Sequence, residues 1–206
     1  MLSLKVNEDS RTIKDEFIDV TLNELSAAYK FISGLDSETK RYLLTKSDSD
    51  LENSKLFEFK IKWIALFSDL TINELRLIPQ VESAYSNLSV DWLYNHCEKF
   101  MHQPESYIEL KEFKHKGTQY NLIEPLKTIS GASLLFGNAN YRQFMIGSQL
   151  TAMVHDQKNE RGIESLKRLF ALLYSDGDDS SEDVVKRSEN FGEVNALYGW
   201  AAYFFF

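Results

Sequence analysis

Apolar and polar residues alternate through Leu2-Ser-Leu-Lys-Val6 and in part of the run Glu16 to Val20, with the polar stretch Asn7 to Arg11 between them. A period of two puts alternate side chains on one face, so the pattern predicts two short strands, Leu2–Val6 and Glu16–Val20, joined as a hairpin. The period changes at Val20-Thr-Leu-Asn-Glu-Leu25. There Thr21 can accept from the backbone N–H three residues on, Glu24 can reach back to the Thr21 N–H, and Val20 can pack on Leu25. A helix is predicted from Thr21, with Leu22, Leu25, Ala28, Tyr29 and Ile32 on one face and Gly34 at its end. The same device recurs at Leu70-Thr-Ile-Asn-Glu-Leu75, where Pro79 stops the helix early. Between the two, Leu56, Phe59, Trp63, Ile64, Phe67 and Leu70 form the stripe of a longer helix. Ser89 opens another, about Val90 to Phe100, with Trp92, Leu93 and Cys97 facing inward.

Strand-like alternation returns in Tyr107 to Phe113 and in Thr118 to Ile123, on either side of a turn that contains Gly117. This is the strongest hairpin signal in the chain. Helical spacing follows over Phe144 to Val154, Ile163 to Tyr174 and Val194 to Phe205. In the last, Val194, Leu197, Tyr198, Ala201, Phe204 and Phe205 make a wide apolar face. Each half thus reads as a strand pair followed by helices. The expected architecture is α+β and mostly α-helical: a helical bundle with two short β-hairpins sharing one small sheet, since isolated hairpins are marginal in water. No low-complexity linker separates the halves, so 1–206 is expected to be one domain with pseudo-halves 1–103 and 104–206.

Length and composition narrow the picture. A chain of 206 residues, 43% hydrophobic and 13% aromatic, supports a real core. The net charge of −8 provides no sequence-wide basic field for nucleic acid. Cys97 is the only cysteine, which excludes an intramolecular disulfide and suggests a reducing compartment, with the cytoplasm fitting best. The amino-terminal dozen residues carry no signal-peptide pattern, and no run approaches the roughly 18 apolar residues of a spanning helix, so no membrane association is expected.

Candidate chemistry is sparse. His96, Cys97 and His102 are close in sequence, but neighbours point to different helix faces and zinc needs three or four converging ligands. His115 and His155 stand apart. The glycines of Gly131 to Gly137 lack the lysine of a phosphate loop, and Asp176 to Asp183 lacks a calcium-loop ligand ladder and reads as a solvated loop. Asp178 and Asp179 lie in polar surroundings, and no serine sits in a nucleophile elbow. Trp63, Phe67, Trp92 and Phe170 read as core. No catalytic residue, cofactor site or metal site is expected.

The terminal run Tyr203-Phe-Phe-Phe206 is different, because three consecutive phenylalanines span nearly the whole circumference of a helix. It is buried deeply, meets another subunit, or the natural chain continues. Tyr198, Ala201, Tyr203, Phe204, Phe205 and Phe206 are the expected interaction residues, for self-association or a partner. The competing account makes this the central core helix.

The order of elements, more than any motif, resembles the tail assembly or assembly-chaperone-like proteins encoded among the virion genes of tailed bacteriophages. The similarity lies in the two boxes Val20 to Leu25 and Leu70 to Leu75, and in the Phe113, Gly117, Tyr120 hairpin. The second half adds Leu169-Phe-Ala-Leu-Leu-Tyr174, a short acidic loop, Val184-Val-Lys-Arg187 and Ala196 to Phe205. The segment Ser130 to Asn138 departs from that pattern. The resemblance implies a non-enzymatic virion assembly or structural protein that binds other phage structural proteins or itself, in the host cytoplasm during assembly or in the virion. The alternative is a small helical regulatory or host-interaction protein that binds one cellular partner.

Overall fold

The first hairpin and the second do not share a sheet. In the computed structural model, which describes residues 1–6, 9–45, 53–81, 88–105, 108–122, 141–155, 161–175 and 181–205, β1 (Leu2–Val6) pairs only with β2 (Asp9–Ile13). The second sheet has the order β3 (Glu112–His115), β4 (Thr118–Leu122), β5 (Tyr174–Ser175). Each hairpin avoids marginality by recruiting a sequence-distant segment of its own unit instead. The edge of β2 is satisfied by the chain at 67–69, where Lys14 N–H donates to Phe67 O at 2.8 Å, Asp69 N–H to Thr12 O at 3.2 Å, and Ile13 bridges Ser68. The edge of β4 is satisfied by Tyr174–Ser175. The architecture is otherwise the expected one, α+β and mostly helical.

The chain resolves into two compact units, Met1–Val20 with Ala27–Gln103, and Thr21–Ser26 with Pro104–Phe206. In the first, β2 differs from expectation. Its register pairs Leu2 with Ile13 and Val6 with Asp9, so most of the polar stretch Asn7 to Arg11 is strand and not connection. Residues Phe17–Asp19 form a 3₁₀ turn in place of the expected second strand. The reason is local: Phe17 and Val20, three apart, are buried while Ile18 is exposed, a helical spacing that imitates alternation over so short a run.

Helix α1 (Leu22–Ser33) starts where the capping box placed it, with the Glu24 N–H donating to Thr21 Oγ1 at 3.2 Å and the Thr21 N–H to Glu24 Oε2 at 2.9 Å. A helix not foreseen, α2 (Ser37–Thr45), follows. Its signal was present in Asp36, whose carboxylate accepts from the N–H groups of Glu38 and Thr39 at 3.0 and 2.9 Å. Next come α3 (Asn53–Leu66), α4 (Ile72–Leu77) and α5 (Val90–Cys97), the last running into a 3₁₀ turn, Glu98–Met101. Trp63, Ile64, Phe67 and Phe100 are fully buried at the centre of this unit.

Thr71 caps α4 through the second box, and Glu74 also takes the Arg11 guanidinium, Nε to Oε1 at 3.0 Å. The backbone N–H and hydroxyl of Thr71, then Arg11, hold the Glu74 carboxyl down at about 2. A depressed folded pKa contributes stability above the ordinary carboxylate pKa near 4.5 and loses it as pH falls toward 2. Glu74→Gln is therefore expected to flatten the acid limb of a stability–pH profile between those values, and Thr71→Ala to cost about 1 kcal/mol. Profiles of wild type and Glu74→Gln that stay parallel below pH 4.5 in urea titrations would remove this assignment.

In the second unit the chain turns between β3 and β4 on two residues, Lys116 and Gly117, both with positive φ (48° and 87°). That is the primed two-residue turn, whose twist matches a hairpin, and glycine takes the second position without strain. The strand begins at Glu112, later than expected. The carbonyl of Leu110 accepts the Tyr174 hydroxyl at 2.6 Å instead of joining the ladder. Four helices complete the described part of this unit: α6 (Tyr141–His155), α7 (Arg161–Leu173), α8 (Ser181–Asn190) and α9 (Ala196–Phe205). Helix α7 packs on each of the other three and buries Leu166, Leu169, Phe170 and Leu173. The acidic run expected as a loop is corrected at its end, since residues 181–183 open α8; residues 176–180 lie outside the described ones.

Candidate functional site

Of the expected interaction residues, Tyr198, Ala201, Tyr203, Phe204 and Phe205 lie on α9. Ala201 is buried, along with Ala196, Trp200 and Ala202. Tyr198 is half-buried, its ring 6.1 Å from that of Phe113. Tyr203 is half-buried, edge-on to Trp200 at 5.6 Å, with its hydroxyl 3.3 Å from His155 Nδ1 at the end of α6. Phe204 and Phe205 are helical, and Phe206 lies outside the described residues. The helix starts two residues later than the spacing suggested. Asn195 Oδ1 accepts the Leu197 N–H at 2.8 Å, and the carbonyl of Val194 accepts from Leu22 N–H at 2.9 Å.

Residues 21–26 join this unit through side chains whose roles were not legible in the sequence. Ser26 Oγ donates to Glu164 at 2.6 Å, and the buried Lys167 ammonium reaches Glu164 and Asn23 Oδ1, each at 3.0 Å. Burial works against the Glu164 carboxylate, but the hydrogen bonds from Ser26 and Lys167 prevail and hold its pKa below the usual range. Gly199 permits a close approach: a Cβ there would stand 2.6 Å from Leu22 Cδ2 and 3.4 Å from Leu166 Cδ2. Gly199→Ala is expected to destabilise by about 1–3 kcal/mol through overpacking. On a Leu22→Ala background the same change should cost much less, and additive urea midpoints in that double-mutant cycle would contradict the steric account.

Other candidates are occupied by the scaffold. Cys97 is buried, its Sγ–H donating to Leu93 O at 3.3 Å, and burial pushes the thiol up to about 12, so no thiolate nucleophile exists at neutral pH. His96 lies edge-on to Trp92 at 4.3 Å, and His115 Nε2 is 3.0 Å from Asn190 O. Burial raises the pKa of the Tyr29 and Tyr174 hydroxyls, which donate to the carbonyls of Met101 and Leu110. Arg187 Nε donates to Ala171 O at 3.3 Å. Among the described residues no group of three or more His, Cys, Asp or Glu could hold a metal ion, and no helix is long and apolar enough to cross a membrane. The segment Gly131 to Gly137 lies outside the described residues.

No family model, curated protein or solved structure matches the chain.

Proposed function

We propose that this protein acts by stoichiometric protein–protein binding, as a non-enzymatic assembly or structural protein of a tailed-bacteriophage virion. Its partners are other phage structural proteins or further copies of itself, met in the host cytoplasm during assembly or in the particle. The observation that carries the binding reading is how the sheltered polar groups are used. Tyr29, Tyr174, Trp63 and Arg187 each donate to a backbone carbonyl, and Lys167 is engaged by Asn23 and Glu164. Polar chemistry that is committed to holding backbone in place builds a rigid scaffold, and a scaffold works through its surface. The phage assignment comes from the order of elements described above.

The test is affinity capture of the full chain from phage-infected cells, with the molar ratio of the recovered proteins measured. The expected result is a virion structural protein at a fixed ratio. Recovery of one host protein, equally from uninfected cells, would overturn the assignment in favour of a host-interaction protein.

A further inference from the structure

The start of α1 is seated in a cradle made by the second unit, to which residues 21–26 belong. Leu22 is fully buried, and its N–H donates to Val194 O at 2.9 Å beside the antiparallel bridge of Thr21 with Asn195. A Cβ on Gly199 would crowd Leu22 Cδ2, and one on Gly192 would overlap the Asn23 amide, so glycine stands at both places where the segment meets the cradle. The buried Lys167 donates to Asn23 Oδ1 at 3.0 Å, and Ser26 Oγ donates to Glu164 at 2.6 Å. The cradle thus reads a leucine, the asparagine after it and the serine one turn on.

The chain carries the same segment twice. Thr21-Leu-Asn-Glu-Leu25 and Thr71-Ile-Asn-Glu-Leu75 differ only in leucine for isoleucine. Their boxes close alike, with the glutamate N–H 3.2 Å from the threonine Oγ1 in each, and Leu25 and Leu75 are both fully buried. The outer side is what differs. Leu22 is 0% exposed, whereas Ile72 is 37% exposed, flanked by exposed Thr71, Asn73 and Arg76. The Ile72 N–H, in the place of the Leu22 N–H, donates to no carbonyl among the described residues. We infer that Thr71–Arg76 is a second ligand for this cradle, docking on another copy of the chain when Thr21–Ser26 of that copy leaves it.

Charge at the contact favours that occupant. Arg76 stands where Ser26 stands in the first segment, so on docking its guanidinium faces the Glu164 carboxylate. Its present bond to Glu58 joins side chains 49% and 40% exposed, and such a pair is worth little to break. The contact is heterologous, cradle to α4, so it propagates from copy to copy. It is also held in check. The segment on the same chain competes at high effective concentration, and two copies at −8 each repel. The undisturbed chain is therefore a monomer, and displacement of residues 21–26 releases association. This names a partner within the binding reading above and rests on that reading only in taking the protein to act by contact.

The test is sedimentation equilibrium of the full chain over a range of concentrations. Wild type is expected to stay monomeric, L22A/N23A to associate, and L22A/N23A/I72A/N73A to associate roughly tenfold or more weakly. The last variant shares the opened cradle, so association through exposed core alone would persist in it and overturn the inference. A folded L22A/N23A chain that stays monomeric overturns it as well. Should L22A/N23A fail to fold, hydrogen exchange of the wild-type chain decides, in excess of a capped peptide of residues 68–80. The peptide should speed exchange at Leu22 to Ser26, and the same peptide with I72A/N73A should not. Exchange that neither peptide changes, or that both change equally, overturns the inference. A folded, monomeric L22A/N23A chain that still captures a virion protein sinks this inference while leaving the proposed function standing.

Discussion

Trp63→Ala is expected to destabilise the protein by about 3–5 kcal/mol, the range for removing a large aromatic from a core. The side chain is fully buried, with ring centroids of Phe31, Phe59 and Phe67 at 6.5, 6.2 and 5.2 Å, and its Nε1–H donates to Cys97 O at 3.0 Å. Truncation removes apolar contact, opens a cavity and leaves a carbonyl without its donor at the junction of α5 and the 3₁₀ turn. Against a typical total of about 5–15 kcal/mol, such a loss brings a domain near its unfolding midpoint. Trp63→Phe separates the contributions. It keeps ring packing but loses the donor, and should cost about 1–3 kcal/mol. Urea denaturation followed by far-UV circular dichroism reads both. If Trp63→Phe proves as damaging as Trp63→Ala, the hydrogen bond or the shape of the indole, and not aromatic burial, dominates the site.

Phe113→Ala is expected to have a comparable effect, about 3–5 kcal/mol, read in the second unit. Its ring lies 5.0–6.1 Å from those of Tyr120, Phe170, Tyr174, Phe191 and Tyr198, which come from β4, α7, β5, a 3₁₀ turn and α9. Phe113 is also the one buried residue of β3. Removing it detaches the hairpin from its cover, and a bare hairpin is marginal. Amide hydrogen exchange should therefore show lost protection at Phe113 and Gln119 to Leu122, beyond the shift in global stability. Phe113→Leu should retain most of that protection. Uniform loss across the chain, with no excess in β3 and β4, would show that Phe113 is one core residue among many and not the hub of the sheet.

What could be read from the sequence was local. The boxes at Thr21 and Thr71 join residues three positions apart, so the side chains that start those helices are close in the chain and their chemistry is complete before any tertiary contact forms. The same holds for the turn at Gly117, where positive φ is a requirement of the backbone itself. The Asp36 cap of α2 was equally local and could have been found. Strand β2 was different. Asp9–Ile13 buries only Ile13, so no alternation marks it, and the bonds that satisfy its edge come from residues 67–69, more than fifty positions away.

The candidate site divides in the same way. The apolar face of α9 and the uncharged run of α6 are properties of the sequence. Whether either face is covered is not, because covering depends on which distant element packs there. Tertiary structure buries Ala201 and Trp200 and brings Leu22 against Gly199, a contact whose backbone approach only a missing Cβ allows. It leaves Met145 and Met153 exposed while Gly147, Leu150 and Val154 of the same helix are buried. Periodicity determines that a helix has an apolar side, because it follows from 3.6 residues per turn. Which side faces solvent is set by the area its neighbours can cover, and that is a property of the assembled fold.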